Sequence, residues 1–129
     1  MNIENAYNRE LGVRGGKLAP LSKKPNCVST QTENAAKRLA PVVYQRAIEK
    51  QMEKVIDAFS AMPGAMIKQQ TEDYAYVVFT SKLMRFKDDV EVFLDDAQKL
   101  LHFRSASRVG YSDLGVNRKR YEEFVGLLK

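Results

Sequence analysis

The sequence predicts an α+β domain: an antiparallel sheet of four to five strands with two helices packed on one face. Three observations carry that expectation. A helical apolar period runs through residues 48–62, β-type apolar runs fill residues 65–106, and a second helical period closes the chain. The resulting order, (β)-α-β-β-β-β-α, is similar to that of TATA-binding-protein-like folds, an analogy that carries no function by itself.

Each element follows from its residues. Residues 1–17 are polar, contain Gly12, Gly15 and Gly16, and show no period. They read as a flexible N-terminal arm preceding a single domain over 18–129. Pro20, Pro25 and Pro41 keep the next stretch irregular, with a short strand expected at residues 26–30. Ile48, Met52, Val55, Ile56, Phe59 and Met62 then form one helical face, and Pro63-Gly64 ends it. Residues 65–71 and 74–81 flank a Glu72-Asp73 turn, while 88–94 and 99–106 flank residues 95–98. Centring that second turn between Asp96 and Ala97 pairs Val90 with Phe103 and Val92 with Leu101 on an apolar face. The opposite face then pairs Asp89 with Arg104 and Glu91 with His102. Asn117 is the expected N-cap of the last helix, whose apolar side is Tyr121, Phe124, Val125 and Leu128.

A chain of 129 residues suits one domain that buries a core without cross-links. Its one cysteine, Cys27, excludes an internal disulfide and any metal site built on several thiolates, and fits a reducing compartment. No basic-then-apolar leader stands at the start, and no segment approaches the ~18 apolar residues of a membrane span. The reading is a soluble, cytoplasmic protein. Lys+Arg number 21 against 16 Asp+Glu, a formal net charge of +5. Because acidic residues interleave with basic ones along the chain and no aromatic stacking set accompanies them, nucleic acid is not the expected partner. A single His and carboxylates divided between strand faces and a turn (Asp88, Asp89, Glu91, Asp95, Asp96) give no metal site. No Gly-rich phosphate loop or nucleophile elbow calls for a cofactor.

The stretch from His102 to Arg120 concentrates the polar chemistry. Arg104, Arg108, Arg118 and Arg120 supply fork-shaped donors, and Ser105, Ser107 and Asn117 supply small polar groups, where the last strand hands over to the last helix. Guanidinium forks take phosphate or carboxylate bidentately, and a helix N-terminus adds backbone donors. Arg104, Ser105, Ser107, Arg108, Asn117 and Arg118 are therefore the candidate ligand-binding residues, for a small anionic ligand or a protein partner. The competing arrangement satisfies these arginines internally with Asp88, Asp89, Glu91 and Asp113. Arg118, Lys119 and Arg120 oppose the helix dipole by up to ~1 kcal/mol each, so an anion, internal or bound, is expected beside them. A second function class is a hydrolase or transferase with Cys27 as nucleophile, His102 as base and Glu91 orienting His102.

Pro25-Asn26-Cys27-Val28-Ser29, Phe86-Lys87-Asp88-Asp89-Val90-Glu91-Val92 and the run from Arg104 to Arg118 resemble signature segments of the domain-of-unknown-function family numbered 1499, found in bacteria and plants. The resemblance runs from about Leu18 to the end of the chain. It implies no assigned activity, so function must be argued from the residues themselves. The expectation is a small anionic-ligand or partner-binding domain with an Arg/Ser-rich polar site, and whether it is also an enzyme stays open.

Overall fold

Alternating apolar residues on four successive strands require one sheet with a covered face, and the architecture supplies it. The structure is a computed structural model that describes residues 10–128. Its elements are β1 (Val13–Arg14), β2 (Lys17–Leu18), β3 (Cys27–Ser29), β4 (Val42–Val43), α1 (Ile48–Ser60), β5 (Ala65–Gln70), β6 (Tyr74–Thr80), β7 (Lys87–Asp95), β8 (Leu100–Ser107) and α2 (Val116–Leu127). The main sheet runs β3-β8-β7-β6-β5, and β4 also pairs with β8. β3 lies antiparallel to Arg104–Ala106 and β4 to Leu100–Leu101, so the two short strands share one edge position. The α+β class and the helix–strand order match the sequence expectation, with six strands in five positions.

Both helices cover one face. Met52, Val55, Ala58 and Phe59 of α1 and Tyr121 and Phe124 of α2 pack on Ala75, Val77, Phe79, Val90, Val92, Leu94, Leu101 and Phe103. Phe124 stacks on Phe59 at 4.6 Å between centroids and leans on Phe103 at 5.3 Å. α1 ends into the Pro63-Gly64 turn. Gly64 has φ +82°, and a Cβ there would sit 2.6 Å from the Thr80 carbonyl oxygen, so glycine lets the chain turn back against β6.

Two expectations are corrected. In the β7–β8 hairpin the turn is centred one residue later than expected, so Val92 faces Phe103, Glu91 faces Arg104 and Asp89 faces Ala106. The shift moves each partner by two residues, so every side chain keeps its expected face but changes its neighbour. The four-residue connection with Lys99 at φ +56° decides this, and the apolar pattern alone is blind to a two-residue step. Asn117 is not the N-cap of α2. The helix begins at Val116 after Gly115, and Asn117 lies fully buried inside the first turn. The N-terminal arm expected over residues 1–17 falls partly outside the described residues, which do not include 1–9. Residues 10–18, in contrast, carry the β1–β2 hairpin, and Leu11, Val13 and Leu18 pack on Tyr74, Tyr76, Val78 and Phe93 of the outer sheet face.

Candidate functional site

Strand alternation divides the Arg/Ser stretch between the two faces of the sheet. Ser105 points to the helix side, and Ser107 at the strand end reaches the same polar group. There, Asn117 donates from Nδ2 to the Asn26 carbonyl (3.1 Å), Ser107 Oγ (3.0 Å) and Asp113 Oδ2 (2.6 Å). Ser105 donates to Asn117 Oδ1, and Arg120 Nη1 reaches the same oxygen at 2.8 Å and Asp88 Oδ2 at 2.8 Å. Asp113 accepts the backbone N–H groups of Gly115 (2.8 Å) and Asn117 (3.0 Å), placing a carboxylate at the positive end of α2. Burial alone would raise the Asp113 carboxyl, but the hydrogen bonds from Asn117 and Gly115 together hold it below the usual carboxylate range. The anion expected beside the basic first turn is thus supplied internally.

Arg104 and Arg108 lie on the outer face. Arg104 donates from Nε to the Ala19 carbonyl (2.9 Å) and from Nη2 to the Pro20 carbonyl (3.0 Å), with Nη1 3.7 Å from Glu91 Oε1. Glu91 is fully buried; its Oε2 accepts Tyr74 Oη–H at 2.5 Å and Gly12 N–H at 2.6 Å, while Oε1 has no hydrogen-bond partner among the described residues. Burial pushes the Glu91 carboxyl above the ordinary carboxylate range, and the hydrogen bonds from Tyr74 and Gly12 and the nearby Arg104 charge only partly offset it. Arg108 grips Asp89 through Nε at 3.2 Å and Nη2 at 3.0 Å, and Tyr76 Oη–H donates to Asp89 Oδ1 at 2.5 Å. Burial and then the Asp89 hydrogen bond push the Tyr76 hydroxyl up to about 12, so it stays a donor.

A cleft of about 320 Å³ opens beside this outer layer. Arg104, Arg108 and Lys24 line it with Ser22, Asn26 and Ser107, and the acidic wall is Asp89 with Glu10. Of the residues singled out in the sequence, the cleft gathers Arg104, Ser107 and Arg108. Ser105 and Asn117 stay behind the sheet, and Arg118 lies apart, donating to the Ala36 (3.0 Å) and Arg38 (3.3 Å) carbonyls. A larger hollow of about 620 Å³ between the β1–β2 hairpin and residues 29–34 gathers none of those six. Its Gln31 side chain is already committed to Gly16 and Leu18, which is why we place the candidate site in the smaller cleft.

Sequence reasoning missed Lys24, Ser22 and Asn26, which reach the cleft only because residues 19–26 fold over the end of β8. It also missed Tyr74 and Tyr76, although their alternation with Ala75 and Val77 was a usable signal. The Cys27–His102 arrangement is not assembled. Cys27 faces Ala106, four positions along β8 from His102 and so about 13 Å away along the strand. His102 shares a hydrogen bond with Thr30 through Nδ1 (2.9 Å) and pairs with Phe93, while Glu91 faces Arg104. Cys27 is itself buried, 3.4 Å from the Lys24 carbonyl oxygen. Among the described residues no group of three or more His, Cys, Asp or Glu side chains could hold a metal ion.

Fold and site together define a small α+β domain with a charged outer layer sealed by its own N-terminal segment and a polar cleft at that layer's edge. No described helix is long and apolar enough to cross a membrane. The chain belongs to the family described as "Protein of unknown function (DUF1499)", whose model matches residues 17–128. No curated protein matches it.

Proposed function

We propose that the domain binds a small anionic ligand, a phosphate or a carboxylate, in the cleft lined by Lys24, Arg104 and Arg108. The convergence of these three cations on one hollow of about 320 Å³, lined also by Ser22, Asn26 and Ser107, carries the reading. Arg104 and Arg108 are held rigid by the Ala19 and Pro20 carbonyls and by Asp89, so their geometry is set before a ligand arrives. Arg108 keeps Nη1 without a hydrogen bond among the described residues, and Lys24 is exposed with its ammonium likewise unbonded. These two groups are the ligand's charge partners, and Arg104 shapes the floor.

The test is a thermal-shift screen of the full chain with inorganic phosphate, pyrophosphate and dicarboxylates. A ligand at a hundredfold its Kd raises stability by ~2.7 kcal/mol. Lys24→Glu is expected to melt like the wild type without ligand and to lose the ligand-induced rise. Absence of a rise with every anion, or a rise that persists in Lys24→Glu, removes the cleft from consideration.

A further inference from the structure

Successive connections of an antiparallel meander alternate between the two ends of the sheet, and here the charges sort with them. The β5–β6 and β7–β8 connections occupy one end, which carries Glu72, Asp73, Asp95 and Asp96 against Lys99. At the other end three segments meet: residues 19–26 leading into β3, the β6–β7 loop (81–86) and the β8–α2 loop (108–115). They are tied by the bonds from Ser107 N–H to the Asn26 carbonyl (3.0 Å), Arg108 N–H to the Lys87 carbonyl (3.0 Å) and Asn26 Nδ2 to the Gly110 carbonyl (2.9 Å).

This second end is basic. Lys23, Lys24, Lys82, Arg85, Lys87 and Lys119 are all exposed there. Three of its carboxylates are engaged within the fold, Asp88 with Arg120, Asp89 with Arg108 and Asp113 with the first turn of α2, while Glu10 stands exposed on the cleft beside Lys24. The same end is unexpectedly apolar. Of the ten large hydrophobic side chains exposed among the described residues, six stand in its two loops. Leu83 and Leu114 are each 89% exposed, and Met84, Phe86, Val109 and Tyr111 accompany them. Arg85 and Leu114 take left-handed φ values of 58° and 54°, so both loops turn sharply at the tip and throw these side chains outward.

We propose that this end of the sheet docks on an anionic lipid surface, with the loop-tip apolar side chains entering the headgroup boundary and Lys82, Arg85, Lys87 and Lys119 meeting the lipid charge. Two features favour a bilayer over a protein partner. The apolar groups are carried on the tips of two loops, with Leu83 and Leu114 each 89% exposed, a projection that suits shallow insertion between headgroups. In the β6–β7 loop each apolar residue adjoins a cation (Lys82-Leu83, Met84-Arg85, Phe86-Lys87), the interleaving that shallow insertion into a negative surface uses.

The experiment is cosedimentation of the full chain with vesicles of phosphatidylcholine, alone or mixed in equal parts with phosphatidylglycerol, at low and high salt. The wild type is expected to bind the mixed vesicles only, and to release as salt rises. Leu83→Ser with Leu114→Ser, both changes at exposed sites, should keep the melting temperature and weaken partition about tenfold. Lys82→Glu with Arg85→Glu should weaken it about twentyfold or more. Val43→Ser, an exposed position in β4 at the acidic end, should change nothing. Failure of the wild type to bind mixed vesicles at low salt overturns the proposal, as does binding that both loop variants leave intact. If the same variants instead abolish self-association or capture of single-stranded nucleic acid while vesicle binding is absent, the surface is reassigned and the proposal falls.

Discussion

On the helix face of the sheet, Val90, Val92 and Leu94 meet Leu101, Phe103 and the rings of Phe59 and Phe124. On the outer face, one residue along the same strands, Asp89 and Glu91 meet Arg104, Arg108 and two tyrosine hydroxyls. The apolar layer is non-directional and needs only shape and volume. The charged layer needs each atom answered, and several answers come from outside the sheet: Gly12 N–H for Glu91, and the Ala19 and Pro20 carbonyls for Arg104. The outer face is thus a latch for the N-terminal segment, whereas the helix face is the source of stability. Burying a carboxylate that is only partly answered is poor stabilisation but specific, since one arrangement of the segment satisfies it.

The largest expected effect tests the apolar side. Phe124→Ala removes a fully buried ring stacked on Phe59, and should cost ~3–5 kcal/mol in urea unfolding, with the β1–β2 hairpin losing protection only as the whole domain unfolds. An intermediate effect is expected at the polar seam where α2 meets the sheet. Asn117→Ala strips partners from Ser105, Ser107 and the Asn26 carbonyl and should cost ~1–3 kcal/mol. An unchanged unfolding midpoint would mean that water replaces the amide without loss.

The smallest effect is the most diagnostic, because the two faces titrate in opposite senses. The Glu91 carboxyl is raised in the folded state, so its contribution is fully present below the ordinary carboxylate value and is lost as pH rises through the raised one. The Asp113 carboxyl is lowered, so its contribution is present above the ordinary value and is lost as pH falls through the lowered one. Melting temperature followed against pH should therefore lose its decline on the high side in Glu91→Gln and its decline on the acid side in Asp113→Asn. Identical profiles for both variants would show that the carboxyls do not report separately on the two faces.

Much of this was legible beforehand. The apolar face of α1, the four long strands and the β5–β6 turn are legible in the spacing of apolar residues, because burial of one face leaves a trace at every second or third residue. The assignment of Asp89, Glu91 and Arg104 to one face was also legible, since strand parity survived the two-residue error in hairpin register. The identity of their partners was not. That Glu91 faces Arg104 and not His102 depends on how many residues the turn at 96–99 consumes, and that Asn117 is a buried bridge instead of a cap depends on Asp113 having taken the helix amides first. The docking of residues 10–18 left no clear signal because Leu11, Val13 and Leu18 are too few, and too interrupted by glycines, to set a period, and the Gly12 N–H that answers Glu91 is backbone.

By itself, then, the sequence determined the class of fold, the faces of the strands and the presence of a polar stretch near the C-terminus, all of which are local consequences of side-chain spacing. The tertiary structure decided which charges meet. Along the chain Lys23, Lys24, Lys82, Arg85, Lys87 and Lys119 are scattered among acidic residues and look like an evenly solvated surface. Alternating strand connections bring them to one end of the sheet and send Glu72, Asp73, Asp95 and Asp96 to the other. Charge polarity is a property of topology, and topology is set by long-range pairing that no window of the sequence contains.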